Sequence, residues 1–366
     1  MQATAFVSLT AVKHNFLSIR QILPPRTRLF CVVKANAYGH GALPLAKVYS
    51  ASRGISFAVA HLEEAIALRE GGITSPILIL GHTSHSDVEY LLSYHITPCI
   101  HSYTQGKELH TEAQKRCTPL PFHLKINSGM HRLGFTSQNE LEAVLSLPYL
   151  QLKGIYTHYA QGDMGEAGAD FTHTQYNRFL SAIQYVQKRI PSPVITHAGN
   201  SGATLDFPHL LGGGARVGIL LYGVYPSPLV TRKIDLQPVM TLSAPILHIR
   251  TVPPLTPVGY GGFYVTPTAT KLAYIPLGYA DGVRREWCEM GVTFTVNGTP
   301  CPLVGRVCMD SCTLDVTRVQ NVSLGDRVTL FGDGGQDVLS LATRCHTIPY
   351  EILTAVGERV KRVYLS

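Results

Sequence analysis

The sequence predicts an α/β protein with an N-terminal (β/α)8 barrel of the TIM type and a C-terminal domain made mostly of β-strands. Short apolar runs alternate with longer amphipathic stretches over the first two thirds of the chain. These runs are apolar on both faces, which is typical of parallel strands covered by helices. Beyond about residue 230, short strand-like runs follow one another between Gly and Pro, which indicates an all-β region.

Eight apolar runs are interpreted as the barrel strands. In chain order they cover residues 29–33, 55–60, 76–80, 96–100, 122–126, 152–157, 193–197 and 215–221. Between them lie stretches such as residues 61–72, which carry apolar residues at helical spacing and end in a glycine stop. Eight strands in alternation with helices favour a closed barrel over an open sheet.

The second domain is expected to cover residues 231–366, with residues 1–9 joining it as a strand, so that the barrel occupies residues 10–230. Its strand-like runs cover residues 239–252, 271–277, 292–298 and 326–332, separated by Gly and Pro turns. A short helix is expected before residues 357–364, which close the chain.

Composition excludes several classes of function. The 366 residues are 45% hydrophobic and 15% charged, as in an ordinary globular protein. The net charge is +7, but the basic residues are scattered without interleaved aromatics, so nucleic-acid binding is not expected. The first residues are not expected to be a signal peptide, and no apolar segment is long enough to span a membrane. Eight cysteines without framework or zinc-ligand spacing indicate reduced thiols in a cytoplasmic protein that binds no metal.

Polar residues follow the predicted strands, where a parallel barrel carries its active site. Lys34, His158, Asn200 and Ser201 follow predicted strands, Lys125 lies at the end of the fifth, and Arg216 and Gly218 lie in the eighth. An isolated lysine at a strand end is usually solvated. Lys34, however, has Lys125, Arg132 and Arg216 on the same rim, and such neighbours can depress an amine pKa so that it forms a Schiff base.

Glycine-rich segments lie at the last two predicted barrel strands and offer a phosphate site. Residues 197–205 and 212–223 combine small residues with a hydroxyl, at the corner of a barrel where backbone N–H groups commonly bind phosphate. A lysine at a strand end together with such a cradle predicts pyridoxal phosphate as the cofactor.

Nine motifs spread over the whole chain resemble those of the alanine racemases, fold-type III enzymes that use pyridoxal phosphate. They are VVKANAYGHG (32–41), LKINSGMHRLGF (124–135), THYA (157–160), HAGNSGATL (197–205), ARVGILLYGVYP (215–226), GYGGFY (259–264), IPLGYADG (275–282), GRVCMD (305–310) and TIPYEIL (347–353). The resemblance implies an isomerase that interconverts L- and D-alanine, supplies D-alanine for peptidoglycan and forms a homodimer with shared active sites.

The resemblance also implies roles for individual residues. Lys34 would hold the cofactor and act as the base on one face of the substrate, and Tyr260 of a second subunit would act on the other face. Arg132 and the backbone N–H of Met309 would bind the substrate carboxylate, and Tyr279 would narrow the entrance. The residues implied to bind the cofactor are Lys34, Tyr38, Arg132, His158, Asn200, Ser201, Arg216, Gly218, Ile219 and Tyr350.

One position departs from the family pattern. Lys125 corresponds to a lysine that is often carbamylated, and the family usually has Asp two residues later, where this chain has Asn127. Three alternatives stay open: a racemase specific for serine or of broad specificity, a pyridoxal phosphate carrier without turnover, and a decarboxylase of the same fold type. The carrier and the decarboxylase are disfavoured by the second domain and by the GRVCMD and TIPYEIL motifs.

Overall fold

The computed structural model describes residues 2–190 and 192–366. The chain begins with strand β1 (Thr4–Ser8) and helix α1 (Leu9–Ile22). The Ser8 side chain caps this helix by accepting a hydrogen bond from the Ala11 N–H at 3.1 Å. A Ser N-cap of this kind satisfies one of the free N–H groups at a helix start.

Eight parallel strands form the N-terminal barrel. They are β2 (Arg28–Val32), β3 (Ile55–Val59), β4 (Ile77–Ile79), β5 (Ile96–Ile100), β6 (Leu120–Lys125), β7 (Leu150–Tyr156), β8 (Ile195–His197) and β9 (Gly214–Val217). The sheet order is β8-β7-β6-β5-β4-β3-β2-β9, and a parallel bridge between Gly199 and Ala215 links its two ends. The predicted parallel barrel is therefore confirmed.

Helices cover the outside of the barrel, and the short α2 turn (Lys34–Tyr38) lies at its mouth. They are α2 (Lys34–Tyr38), α3 (Ala42–Ser50), α4 (Leu62–Glu70), α5 (Val88–Ser93), α6 (Tyr103–Lys115), α7 (Gln138–Leu145), α8 (Ala169–Gln187) and α9 (Ser201–Asp206). All five residues of β3 are buried, as expected for a strand covered on both faces. Helix α4 begins after His61 and ends at Gly71, within the predicted stretch.

The last barrel strand is shorter than predicted. The predicted strand covers residues 215–221, but β9 ends at Val217 and a 3-10 turn follows at Ile219–Tyr222. Gly218 has φ −115° and ψ −89°, and it takes the chain out of the strand conformation. The prediction was wrong here because a short apolar run that is buried throughout looks the same in a strand and in a buried turn.

The remaining strands form the second domain. They are β10 (Met240–Pro245), β11 (His248–Val252), β12 (Pro257–Val258), β13 (Tyr264–Val265), β14 (Thr270–Ile275), β15 (Thr293–Val296), β16 (Thr299–Val304), β17 (Cys312–Asp315), β18 (Arg327–Phe331) and β19 (Lys361–Leu365). A nine-stranded sheet has the order β11-β14-β17-β16-β15-β18-β10-β1-β19, and β1 runs antiparallel to β10 and parallel to β19. Strands β12 and β13 pair as a separate ribbon.

Two short helices, α10 (Val338–Arg344) and α11 (Pro349–Thr354), precede β19 where one was predicted, and strands β16 and β17 were not predicted. Helix α11 packs against the mouth of the barrel. The Arg362 side chain donates from Nε to the Gly39 carbonyl at 3.1 Å, and a Cβ at Gly39 would lie 2.7 Å from the Leu353 carbonyl oxygen. The second domain therefore forms part of the barrel mouth.

Candidate active site

Lys34 begins a left-handed turn directly after β2. Residues 35–38 have φ between 51° and 54°, although none of them is glycine. Each such residue costs roughly 1–2 kcal/mol, so neighbouring groups must hold the turn. Glu64 accepts from the Ala35 N–H at 2.5 Å and from the Ala60 N–H at 2.7 Å, and Asn36 Oδ1 accepts from the Ala42 N–H at 2.8 Å. These bonds fix the backbone from which Lys34 extends.

The turn carries Tyr38 to the glycine-rich segment after β9. The Tyr38 ring centroid lies 4.8 Å from that of Tyr222 and 5.8 Å from that of Tyr350 on α11. A Cβ at position 218 would clash with the Tyr38 hydroxyl, so this close approach requires glycine. The Gly218 N–H donates to Ser201 Oγ at 3.1 Å. Tyr38, Ser201 and Tyr350 therefore surround the start of the Ile219–Tyr222 turn.

The same corner contains the first turn of α9. Asn200 is its N-cap, since its Oδ1 accepts from the Ala203 N–H at 3.0 Å while its Nδ2 donates to the Tyr159 carbonyl at 3.2 Å. The first N–H groups of a helical turn have no acceptor within that turn. The starts of α9 and of the Ile219–Tyr222 turn thus supply N–H and O–H donors to one small region.

Four basic side chains make the mouth electropositive: Lys34, Lys125, Arg132 and Arg216. Lys34 is reached from solvent, yet loss of hydration at its amine and then the charge of Arg132 lower the Lys34 pKa, while Glu64 opposes the shift. Burial also lowers the pKa of Lys125. None of the ion pairs among residues 2–190 and 192–366 involves any of the four. The mouth therefore carries positive charge that an anion can neutralise.

Arg216 is buried and makes five hydrogen bonds. Its Nη1 donates to the carbonyl and to Nδ1 of His197, both at 2.9 Å. Its Nη2 donates to the carbonyls of Thr157 (2.5 Å) and Ala198 (3.0 Å) and to His158 Nδ1 at 3.1 Å. Because a guanidinium group can only donate, both histidines must accept at Nδ1 and carry their proton on Nε2. Burial, followed by the charge of Arg216, lowers the His158 pKa well below its ordinary value, so this ring is neutral near pH 7.

Asn127 organises the loop that carries Arg132. Its Oδ1 accepts from the Gly129 N–H at 3.2 Å and from the His131 N–H at 3.0 Å. A carboxylate oxygen could accept the same two bonds. Asn127 therefore supplies an uncharged hydrogen-bond acceptor at the position where the family pattern usually has Asp.

Three predicted site residues lie on the second domain, away from this cluster. Tyr260 is at the tip of the β12–β13 ribbon, where Gly259, Gly261 and Gly262 all have positive φ. Tyr279 and Met309 belong to adjacent segments, since the Tyr279 N–H donates to the Cys308 carbonyl at 3.0 Å. In the described parts of the chain, no hydrogen bond or ion pair joins these three residues to Lys34, Arg132 or Arg216.

All three residues are strongly exposed in the single chain. The exposed fraction is 64% for Tyr260, 53% for Met309 and 41% for Tyr279. A single chain therefore brings together the barrel-mouth residues and Tyr350, but not Tyr260 or Met309.

Comparison with known families places this arrangement. Residues 7–226 match the model of the alanine racemase N-terminal domain, and residues 239–364 match that of the C-terminal domain. The chain is 39% identical over 367 residues to the alanine racemase of Desulforamulus reducens, with 99% of this chain and 98% of that protein covered. The chain belongs to the alanine racemase family.

Solved structures of alanine racemases agree with this assignment. The enzyme of Clostridium difficile 630 aligns with a TM-score of 0.93 and 33% identity, over 100% of this chain and 96% of the other. The enzyme of Bartonella henselae, which has covalently bound pyridoxal phosphate, aligns with a TM-score of 0.88 and 29% identity over 100% of both chains. The family consists of pyridoxal phosphate-dependent isomerases, so the predicted enzyme class is confirmed.

The residues present fit that cofactor. The cradle around Gly218 accepts no side chain there, and it offers the hydroxyls of Tyr38, Ser201 and Tyr350 together with turn N–H groups. These are donors suited to a phosphate. Lys34 provides an amine of lowered pKa at the same mouth, and Arg216 provides a buried donor.

Sequence reasoning missed several residues that hold this alanine racemase site in place. Glu64 anchors the Lys34 turn, and Tyr222 packs under Tyr38 while its hydroxyl donates to the Val32 carbonyl at 2.7 Å. His197, to which the sequence analysis assigns no role in the site, is the direct partner of Arg216. Its place at the head of HAGNSGATL, as the last residue of a barrel strand, was a signal that could have identified it.

Within residues 2–190 and 192–366, none of the helices combines the length and apolar character that a membrane crossing requires. In the same residues, no group of three or more His, Cys, Asp and Glu side chains is placed to hold a metal ion.

Proposed function

We propose that this chain interconverts L- and D-alanine with pyridoxal phosphate held covalently by Lys34. The observation that carries the proposal is the left-handed turn, which holds the Lys34 backbone and sends Tyr38 to the Gly218 cradle. When bound, the cofactor supplies the electron sink that makes the α-hydrogen of an amino acid acidic. The chain's own residues then have to bind the amino acid and move that proton.

Proton transfer on one face of the amino acid is assigned to Lys34. Its lowered pKa, which results from lost hydration and from Arg132, increases the fraction of the neutral amine that can accept a proton. Arg132 is placed to bind the substrate carboxylate because it belongs to the same cationic mouth. Its loop is held by Asn127.

Anchoring of the cofactor is assigned to the residues around the cradle. Tyr38, Ser201, Tyr350 and the backbone N–H groups of Gly218 and Ile219 would hold the phosphate, and Asn200 would keep the start of α9 in place. Arg216 would face the pyridine nitrogen. Because a guanidinium group would donate to that nitrogen without giving up its proton, the ring would remain a weaker electron sink than one paired with Asp. His158 would pack beside the ring.

The second base is assigned to Tyr260 of a partner subunit in a homodimer. Racemisation requires a proton to leave one face of Cα and another to arrive on the opposite face. The exposure of Tyr260, Met309 and Tyr279 supports their burial against a second copy of the chain. Met309 would add its backbone N–H to the substrate carboxylate, and Tyr279 would narrow the entrance.

Carbamylation of Lys125 is part of the proposal. Burial lowers the Lys125 pKa, with Arg132, Arg216 and Lys34 acting in the same direction, and a neutral amine is the form that reacts with carbon dioxide. The product is an anion that would help to position Arg132. Carbon-13 NMR of the protein in labelled bicarbonate should show a carbamate signal that Lys125→Gln abolishes. Equal signals in both proteins would contradict the assignment.

The test of the function is a chiral assay with alanine, serine and lysine, combined with a visible absorbance spectrum of the purified protein. We expect absorbance from cofactor joined to a lysine and the highest kcat/KM for alanine. A higher kcat/KM for serine would indicate a serine or broad-specificity racemase. Absorbance without turnover would indicate a cofactor carrier.

The cellular role follows from the product. D-alanine is a building block of peptidoglycan, and we propose that this chain supplies it. All eight cysteines are free thiols, which suits a reducing compartment such as the cytoplasm.

A further inference from the structure

A second cavity lies at the opposite end of the barrel from Lys34. Its volume is about 640 Å³, and its walls come from the starts of the strands, among them Arg28, Phe30, Leu78 and His123. That volume lies within the range of about 300–1,000 Å³ that is usual for small-molecule sites. The cavity is therefore large enough for a small organic molecule.

The charge on its walls has one sign. Arg26, Arg28 and Lys153 line the cavity, and none of the lining residues that the structure describes is Asp or Glu. Arg28 donates to Ser56 Oγ at 3.3 Å, but none of the three cations belongs to an ion pair within the described chain. Arg116 and Arg189, at the ends of the outer helices α6 and α8, instead pair with glutamates.

A neutral hydrogen-bond donor completes this wall. Arg216 donates to His197 Nδ1, so His197 must carry its proton on Nε2 and donate to His123 Nδ1, which is 2.8 Å away. His123 therefore carries its own proton on Nε2. His123 is only 7% exposed, it lines the cavity, and no protein acceptor for Nε2 is present among the described residues.

The position of the His123 ring is fixed by its neighbours. A Cβ at Gly154 on β7 would lie 2.5 Å from ring atoms of His123, so only glycine leaves room for the ring there. The ring of His197 is stacked between Phe30, at 4.4 Å, and Tyr156, at 4.9 Å. The series of hydrogen bonds from Arg216 through His197 to His123 thus crosses the barrel from the proposed cofactor site to this cavity.

We propose that this cavity is a second ligand site, which takes a small organic phosphate. The phosphate group would lie against Arg28, Lys153 and the His123 Nε2–H, since a dianion matches several cations and an N–H donor. The organic part would lie against Phe30, Ile77 and Leu78. Such a ligand would accept a hydrogen bond from His123 Nε2–H, the last donor in the series of hydrogen bonds that begins at Arg216. Its binding should therefore strengthen the hydrogen bonds of that series.

The test is isothermal titration calorimetry on the full-length protein loaded with pyridoxal phosphate. Saturating alanine is present, so that the proposed active site is occupied. Inorganic phosphate and phenyl phosphate are the two probes. We expect both to bind, and phenyl phosphate to bind more tightly because only it contacts the apolar wall. Equal affinities would overturn the organic part of the proposal, and absence of binding heat would overturn the site.

Three variants locate the binding. Arg28→Gln should weaken phenyl phosphate binding by about tenfold or more, because it removes a charge-assisted hydrogen bond to the phosphate group. Lys153→Gln should weaken it by about threefold, because Lys153 is exposed and its side chain does not support the fold. Lys107→Gln on α6 makes the same charge change outside the cavity and should leave binding unchanged. Equal affinity in all three variants and the parent chain would overturn the proposal.

The outcome does not depend on the racemase assay. A chain that binds phenyl phosphate at this cavity but does not racemise alanine would support the cavity and contradict the proposed function. A chain that racemises alanine but does not bind phenyl phosphate would support the proposed function and contradict the cavity as a ligand site.

Discussion

The barrel mouth and the exposed face of the second domain hold the two halves of the proposed active site in different ways. At the mouth, Arg216 is buried and makes five hydrogen bonds, and Glu64 fixes the Lys34 turn. On the second domain, Tyr260 is 64% exposed at the tip of a two-stranded ribbon. The half at the barrel mouth is held in place by contacts within its own chain. The half on the second domain becomes buried only when another surface packs against it.

The largest expected effect tests the organised half. Lys34→Ala should lower racemase activity by about 10⁴-fold, the upper end of what a positioned base contributes, and should remove the absorbance of lysine-bound cofactor. Lys107→Ala on an outer helix is the matched control and should change neither. An unchanged spectrum in Lys34→Ala would show that another lysine holds the cofactor.

The next effect tests the exposed half. Tyr260→Phe should lower kcat/KM by about 10²–10³-fold, and equally in both directions, because the two enantiomers have the same free energy in water. The informative readout is exchange of the α-hydrogen with deuterated solvent. Exchange should continue for the one enantiomer whose α-hydrogen faces Lys34.

Tyr274→Phe is the control for that experiment, because Tyr274 is also an exposed tyrosine of the second domain. It should leave activity unchanged. Equal loss of exchange for both enantiomers in Tyr260→Phe would argue against two bases on opposite faces.

Acid should destabilise the barrel more than the second domain. The barrel holds His40 and His123 buried, and burial lowers their pKa to about 4 and about 3, from an ordinary value near 6.5. Below pH 6.5 the unfolded chain binds more protons than the folded one. The free energy of unfolding therefore decreases as the pH is lowered, until the pH reaches the pKa of each histidine in the folded protein. At pH 5 the loss is about 2 kcal/mol for each of the two.

Urea unfolding at several pH values between 7 and 5 measures this loss. His123→Gln should reduce the proton uptake on unfolding by about one. His248→Gln, which changes an exposed histidine of the second domain, is the comparison variant. Equal slopes in both variants would show that the buried histidine does not contribute.

The smallest effect concerns the loop that joins Lys125 to Arg132. Asn127→Asp should change the free energy of unfolding by no more than about 0.5 kcal/mol, because a carboxylate can accept from the same Gly129 and His131 N–H groups. Asn127→Ala, which removes both bonds, should cost about 1 kcal/mol. A larger loss of unfolding free energy in Asn127→Asp than in Asn127→Ala would show that the charge at this position, and not its hydrogen-bond acceptor, determines stability.

Much of the fold was predictable because the barrel strands are buried on both faces and stand out as continuous apolar runs. Strand β3, with all five residues buried, is the clearest case. Strands β16 and β17 were missed because Pro300, Pro302 and the GRVCMD segment interrupt the alternating pattern. Strand β9 was predicted too long because its continuation is a buried turn of the same composition.

The mouth residues were predictable because position at the carboxyl end of a parallel strand and residue type agree, as at Lys34 and Arg216. The groups that hold them could not be found in the same way. Glu64 lies on a helix thirty positions after Lys34, and only the fold brings it to the Ala35 N–H. The hydrogen-bond chain from Arg216 to His123 joins three separate strand regions, so no local pattern reports it.

The central claim is that a complete active site combines Lys34 of one subunit with Tyr260 of another. It is tested most directly by mixing the inactive Lys34→Ala and Tyr260→Phe proteins under conditions that exchange subunits. The account predicts that activity returns, with about a quarter of the sites intact after equal mixing into two-fold symmetric dimers. Two samples of the same variant, mixed in the same way, should stay inactive. Full subunit exchange without any recovery would contradict the account.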